Sequence, residues 1–247
     1  MRDAFMTIRF SPQLNLRFGQ FYPIFGLERL TSTSRLEVID RTRMTDRITY
    51  ERNPGVAILN LQPWRGWITY AFGAWNGPGQ NQPDNNDAKD LVGRVAVAPP
   101  MVRGLAIGVN GASGEQPDGR RTRTGVDVLI DRPSFKIAVE GLRERYDAVP
   151  RRHGYYVLAV YRYHPPIATP HFRMLELAAR YANFHDPTFA RDATPAQSFI
   201  PRATDEIQFG ANYYVNRNVR FQANVIVPVD DRDVPHSTVI GRLQAIF

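Results

Sequence analysis

Cysteine is absent from the 247 residues, and lysine nearly so: of 31 basic residues only Lys89 and Lys136 are lysines. Without cysteine there is no disulfide framework, thiolate metal site or cysteine nucleophile, and the chain suits an oxidising compartment. No run approaches the roughly 18 consecutive apolar residues of a membrane-spanning helix. No apolar leader follows Met1-Arg2-Asp3-Ala4 either, which taken alone points to a cytoplasmic chain. Low-complexity disorder is excluded by 43% hydrophobic and 22% charged residues. What remains is a net charge of +7 carried by arginine. Its forked guanidinium suits phosphate and carboxylate, so nucleic acid, anionic lipid headgroups and small anions are all admissible partners at this level.

The dominant period is two. From Val219 to Val229 the odd positions read Val, Phe, Ala, Val, Val, Val, while Arg220, Gln222 and Asn224 share the other face. Ile207 to Asn216 and His236 to Phe247 repeat the pattern. Further strands are expected near 3–11, 14–26, 54–62, 66–76, 90–98, 104–112, 125–132, 135–145, 154–163 and 171–183, thirteen in all. Glu28 to Thr49 has room for a short helix.

The connections alternate short and long. Short ones fall at 12–13, 63–65, 99–103, 132–134, 164–170 and 216–218. Long ones fall at 27–53, 76–89, 113–124, 146–153, 184–204 and, more modestly, 230–235. Outer-membrane barrels sort loop length by end in this way, and a soluble sandwich has no reason to. Tyr155, Tyr161, Tyr163, Tyr181 and Tyr213 sit toward strand ends, as an aromatic girdle would. The expected fold is therefore all-β: a transmembrane antiparallel barrel in the bacterial outer membrane. Its strand count is odd, whereas bacterial barrels close with an even number. An odd number of further strands, with any signal peptide, is accordingly expected upstream of Met1.

The segment Phe18-Gly19-Gln20-Phe21-Tyr22-Pro23-Ile24-Phe25-Gly26-Leu27-Glu28-Arg29-Leu30-Thr31-Ser32 resembles the strand-and-loop signature of the phosphate-selective porin O and P family. Asp3-Ala4-Phe5 resembles the strand before it, and Gly210 to Phe247 is similar to the family's closing strands. The resemblance implies sixteen strands, thirteen of them present, and a homotrimer. It also makes 27–53 the third external loop, which folds into the lumen as a constriction.

Setting Phe247 and Leu243 toward lipid places Arg242 inside. The same alternation places Arg220, Arg180, Arg162, Lys136, Arg94, Arg17 and Arg9 inside. The loop adds Arg29, Arg35, Arg41, Arg43, Arg47 and Arg52, interleaved with Glu28, Glu37, Asp40, Asp46 and Glu51. A ladder of guanidinium groups raises local anion concentration and replaces part of a lost hydration shell without any bond being made. The plainer role for any one of them is an ion pair with a wall carboxylate such as Glu140, Glu144 or Glu176.

The expected function is thus a passive porin, cofactor-free, passing small anions and in particular phosphate. Its partners are outer-membrane lipid and lipopolysaccharide, not nucleic acid. Arg120-Arg121-Thr122-Arg123 reads as a solvated basic tip within reach of lipopolysaccharide phosphates, and Asp84-Asn85-Asn86-Asp87 as an Asx-rich loop tip rather than a calcium site. The five histidines show no metal-ligand spacing, and no Ser–His pair marks a barrel esterase. The competing class is a soluble or surface-exposed β-sandwich that binds anionic polymers through its arginines.

Overall fold

A computed structural model describes residues 3–84, 87–166, 171–187, 205–229 and 237–245. Thirteen strands form one antiparallel sheet in which every strand pairs with its neighbours in the chain. They are β1 (Ala4–Arg9), β2 (Asn15–Phe21), β3 (Asn53–Leu59), β4 (Ile68–Trp75), β5 (Asp90–Val97), β6 (Leu105–Gln116), β7 (Gly119–Asp131), β8 (Phe135–Tyr146), β9 (Val149–Tyr163), β10 (Met174–His185), β11 (Asp205–Tyr214), β12 (Val219–Pro228) and β13 (Thr238–Ala245). Among the described residues, β1 and β13 are the two sheet edges and do not pair with each other.

Polarity is inverted relative to a soluble protein. Gln208, Asn212 and Asn224 are fully buried, while Val239, Leu91 and Val126 are 75%, 63% and 61% exposed. Such a surface is stable only against lipid. A sandwich would bury the apolar faces against each other and expose the polar ones. The sheet curls with its polar face inward, because strands from β6 to β13 all place side chains on the segment between β2 and β3. That segment carries two short helices, α1 (Leu27–Leu30) and α2 (Arg43–Ile48), where one was expected.

Two connections expected to be long loops are strands instead. β6 and β7 pair as far as Gln116 and Gly119, leaving Pro117-Asp118 as the turn. β8 and β9 pair as far as Tyr146 and Val149, leaving Asp147-Ala148. The apolar alternation stops near Thr124 and Leu142, but the backbone ladder continues on cross-strand charge pairs. β6 to β9 run 12, 13, 12 and 15 residues. A tilted strand crosses a bilayer in about 9–11 residues, so these strands project beyond it. The basic tip at 120–123 is accordingly strand, not a solvated loop. Residues 188–204, residues 85 and 86 of the Asx-rich tip, the last connection at 230–235 with His236, and Phe247 lie outside the described residues.

The expected tyrosines all face outward in two belts. Tyr163 and Tyr213 flank Phe172 near the short-turn end, with Phe172 and Tyr213 stacked at 5.3 Å. Tyr155 and Tyr181 pack at 6.0 Å toward the other end. Ala159 lies between the belts on the outer face. Ala159→Arg should therefore destabilise the folded state by about 2–4 kcal/mol, the cost of a midplane arginine facing lipid. Urea titration of the protein folded in lipid vesicles measures this, and a change under about 0.5 kcal/mol would contradict the assignment of the outer face.

Candidate functional site

Gly26 turns the chain inward after β2. Its φ is +83°, a left-handed conformation open to glycine, and a Cβ there would approach Glu140 Oε1 and Thr49 Cγ2 to 3.1 Å. The Gly26 N–H donates to Asn110 Oδ1 on β6 at 3.0 Å. The next two N–H groups, which begin α1 and have no partner within it, donate to the two oxygens of Glu140 on β8, at 2.6 Å from Leu27 and 3.0 Å from Glu28. Glu140 was expected to pair with an arginine. Instead it anchors loop backbone.

The loop returns the contact with a carboxylate of its own. Glu28 accepts from Arg180 Nη1 on β10 at 2.7 Å and from the Thr42 N–H and hydroxyl at 2.9 and 2.8 Å. Thr42 in turn caps α2 by accepting from Thr45 N. Further along, Asn212 on β11 donates to Glu37 O, Arg220 on β12 to Leu36 O, and Arg242 on β13 to Ile39 O and Thr33 O. Beneath these polar ties Phe25, Val38, Met44, Ile48 and Tyr50 form an apolar cluster within the sheet. Burial pushes the Tyr50 hydroxyl up to about 12, so it stays neutral, and Arg123 of β7 lies 4.0 Å over its ring.

The eight wall cations named from alternation all lie on the inward side, in differing circumstances. Arg94 grips Asp127 with both Nη atoms at 2.5 and 2.9 Å. Lys136 pairs with Glu37 of the loop at 2.8 Å. Arg162 meets Glu176 and Asp131 at 3.0 and 2.6 Å. Arg180 is held by Glu28 and Gln208. The other four have no carboxylate partner among the described residues. Arg17 bonds Thr7 and lies 4.4 Å over Phe5. Arg242 donates to Gln222 and loop carbonyls. Arg9 is exposed at the end of β1. Arg220 donates to Gln244, Tyr214 and Leu36 O, and its Nη2 is buried with no hydrogen-bond partner.

The loop arginines divide in the same way. Arg29 is buried against Asp46, Thr49 and Thr45 O, so it braces the loop internally. Arg41 donates to Glu28 O and Thr31 O, and burial, with Arg29 nearby, draws its guanidinium below the ordinary value. Arg43 and Arg47 are engaged within the structure, Arg43 in a small crevice beside Glu206. Arg52 leaves the loop for Asp3 and Tyr22 at the foot of β1 and β2. Arg35 is exposed, and its side chain points into a cavity.

That cavity, about 640 Å³, lies at the short-turn end beneath the loop. Arg35, Arg94, Lys136, Arg162, Arg217 and Arg220 line it with Glu37, Asp131 and Glu176, which is three more cations than anions. Arg217, in the β11–β12 turn, was not singled out from sequence because turns carry no face assignment. Arg121 and Arg123 were missed as inward residues, since reading 113–124 as a loop removed their alternation. Both pair with Glu144. The Asp118-Gly119 pair after Pro117 is a hairpin signal that locates this turn.

An antiparallel wall, apolar outside and charged inside, with a loop folded against its inner face, defines an outer-membrane porin-type channel. The chain belongs to the phosphate-selective porin O and P family, whose model matches residues 1–132 and again 111–240. The fold is similar to Salmonella typhi OmpF in complex with daunomycin, at 13% identity and a TM-score of 0.70 over 99% of this chain and 78% of that one. It is also similar to a porin refined at 1.8 Å resolution, at 11% identity and a TM-score of 0.54 over 96% and 79%. At such identities the likeness shows the fold alone. No curated protein matches the chain.

Glu140→Ala leaves the Leu27 and Glu28 N–H groups without acceptors, at a cost of about 1–3 kcal/mol to loop docking. Faster limited proteolysis within residues 27–53 is expected, with the barrel itself still protected. An unchanged cleavage rate would show that the anchor is dispensable.

Proposed function

We propose that the channel prefers small anions, phosphate among them, and that residues 27–53 form its constriction. The observation that carries this reading is the division of cations around the cavity. Arg94, Lys136 and Arg162 are neutralised by carboxylates, whereas Arg35, Arg217 and Arg220 share the cavity with no carboxylate partner among the described residues. Arg220 retains an unused donor at Nη2. Guanidinium forks match phosphate oxygens bidentately, and several partial sites in series let an ion enter and leave. Arg9, Arg17 and Arg242 add to the inward field, Arg180 is paired with Glu28, and Arg29, Arg41, Arg43, Arg47 and Arg52 act mainly by holding the loop in shape. No bond chemistry or cofactor is required.

We also propose a trimer packed through the outer face of β4 to β6. There Gly93 and Gly111 pair in register and open a depression of about 1010 Å³ lined by Phe72, Leu91, Val95 and Val109. Small residues at such a face let two barrels approach closely.

Single channels in a KCl gradient should give a reversal potential on the anion side; cation selectivity would end the anion reading. Removing one lumen charge costs an anion on the order of 1 kcal/mol at about 4 Å in water, so Arg35→Gln should lower the chloride-to-potassium permeability ratio up to about fivefold. Arg35→Glu should lower it further. For assembly, a Cβ at Gly111 meets nothing within 4 Å, so Gly111→Trp is tolerated by the single chain while filling the depression. Light scattering in detergent should show three chains for the parent and one for the variant, and an unaltered trimer would remove this face from the interface.

A further inference from the structure

The strand register places a second cationic cluster on the outside of the barrel. Along β8, β9 and β10 the outward rows run in order from the short-turn end. Phe135, Tyr161 and Leu177 share one level, then Ile137, Ala159 and Ala179, then Val139, Val157 and Tyr181. Gly141, Tyr155 and Asn183 follow, and the next level is Arg143, His153 and His185. The first three levels are apolar apart from Tyr161 and Tyr181, the fourth carries Tyr155, and the fifth is cationic. Successive outward rows are about 6.6 Å apart along a strand, less in depth once the strand is tilted. A tyrosine belt marks the boundary between hydrocarbon and headgroups, so the Arg143 row sits at headgroup phosphate depth.

The row is built as a site. His153 and His185 lie 5.1 Å apart ring to ring, and with Arg143, Arg151, Pro150 and Pro187 they line a cavity of about 720 Å³ open to the outer surface. Arg145 is exposed two residues beyond Arg143 on the same face. The nearby carboxylates face the other way. Glu144 is buried inside with Arg121, Arg123 and Arg152, and Asp186 is buried against Arg152. Asp147, in the turn, accepts from the Arg120 N–H. Among the described residues Arg143, Arg145 and Arg151 have no carboxylate partner, and each is exposed. Within the bilayer such a cluster would be expensive, and in plain solvent its position directly above the tyrosines would have no purpose.

We propose that Arg143, Arg151, His153 and His185 form a binding site for the phosphorylated headgroup of an outer-leaflet glycolipid, lipopolysaccharide. Its acyl chains run down the rows of Tyr155, Val157 and Ala159. Arginine is suited to this task, because a fork of donors holds phosphate bidentately while its stem lies along the apolar surface. The site faces away from the lumen, so it stands or falls independently of ion selectivity.

The test is binding of lipid A to the full chain in detergent, read by native mass spectrometry or by titration with a fluorescent lipid A. Phosphorylated lipid A should bind at least tenfold more tightly than its dephosphorylated form, with no excess of inorganic phosphate at millimolar concentration displacing it. The double variant Arg143→Glu/Arg151→Glu should lose that tenfold preference, while the lumen variant Arg35→Glu keeps it. Heat-modifiable migration on gels confirms that each variant is folded, and Arg143→Gln/Arg151→Gln serves if the charge reversal does not fold. Equal affinity for the two lipid forms, displacement by inorganic phosphate, or full retention of the preference in the double variant would each overturn the proposal.

Discussion

Lipid offers no hydrogen bonds, and the whole arrangement depends on that. An outer surface of valine, leucine and phenylalanine is stable only against hydrocarbon, so each strand must turn its polar residues inward. Inside, those groups are too crowded to be left to water alone, and burying them unpartnered would be costly. The segment between β2 and β3 meets the demand. Its backbone N–H groups go to Glu140, its carbonyls to Asn212, Arg220 and Arg242, and its Glu28 to Arg180. Wall and loop complete each other's hydrogen bonding, which fixes the loop against one side of the lumen.

That arrangement separates two kinds of arginine that look alike in composition. Those committed to carboxylates or loop carbonyls hold geometry, and the carboxylate-paired ones contribute little net field. Those left over include Arg35, Arg217 and Arg220 in the inner cavity and Arg143, Arg145 and Arg151 on the outer rim. The two sets lie on opposite faces and at opposite ends of the strands, so the proposed solute and lipid sites are separate. Arg220 belongs to both kinds, since it secures Leu36 O while one nitrogen stays without a partner.

Much of the fold was legible in the residues. All thirteen strands stand where period-two patterning puts them, because a one-residue slip would turn every apolar side chain into the lumen. The inward cations follow from the same parity. Legibility failed where parity lost its apolar marker. Beyond Thr124 and Leu142 the outward positions are Thr122, Arg143, Arg145 and Arg151, no longer lipid-facing in composition, so continuing strand read as loop. It failed again at Glu140. A lone glutamate among wall arginines reads as an ion-pair partner, and nothing local shows that two N–H groups from a segment more than a hundred residues away will reach it first.

Alternation, sorted turns and arginine excess are local properties, set by which side of each strand meets lipid, and the sequence by itself therefore determined the barrel wall, its two faces and the sign of its charge. The partner of each charge was decided only by the tertiary structure. Pairing inside the lumen depends on how the loop after Gly26 enters, and headgroup depth on the outside depends on register across β8, β9 and β10. Both are distances between segments far apart in the chain, and electrostatic interactions depend on those distances rather than on composition.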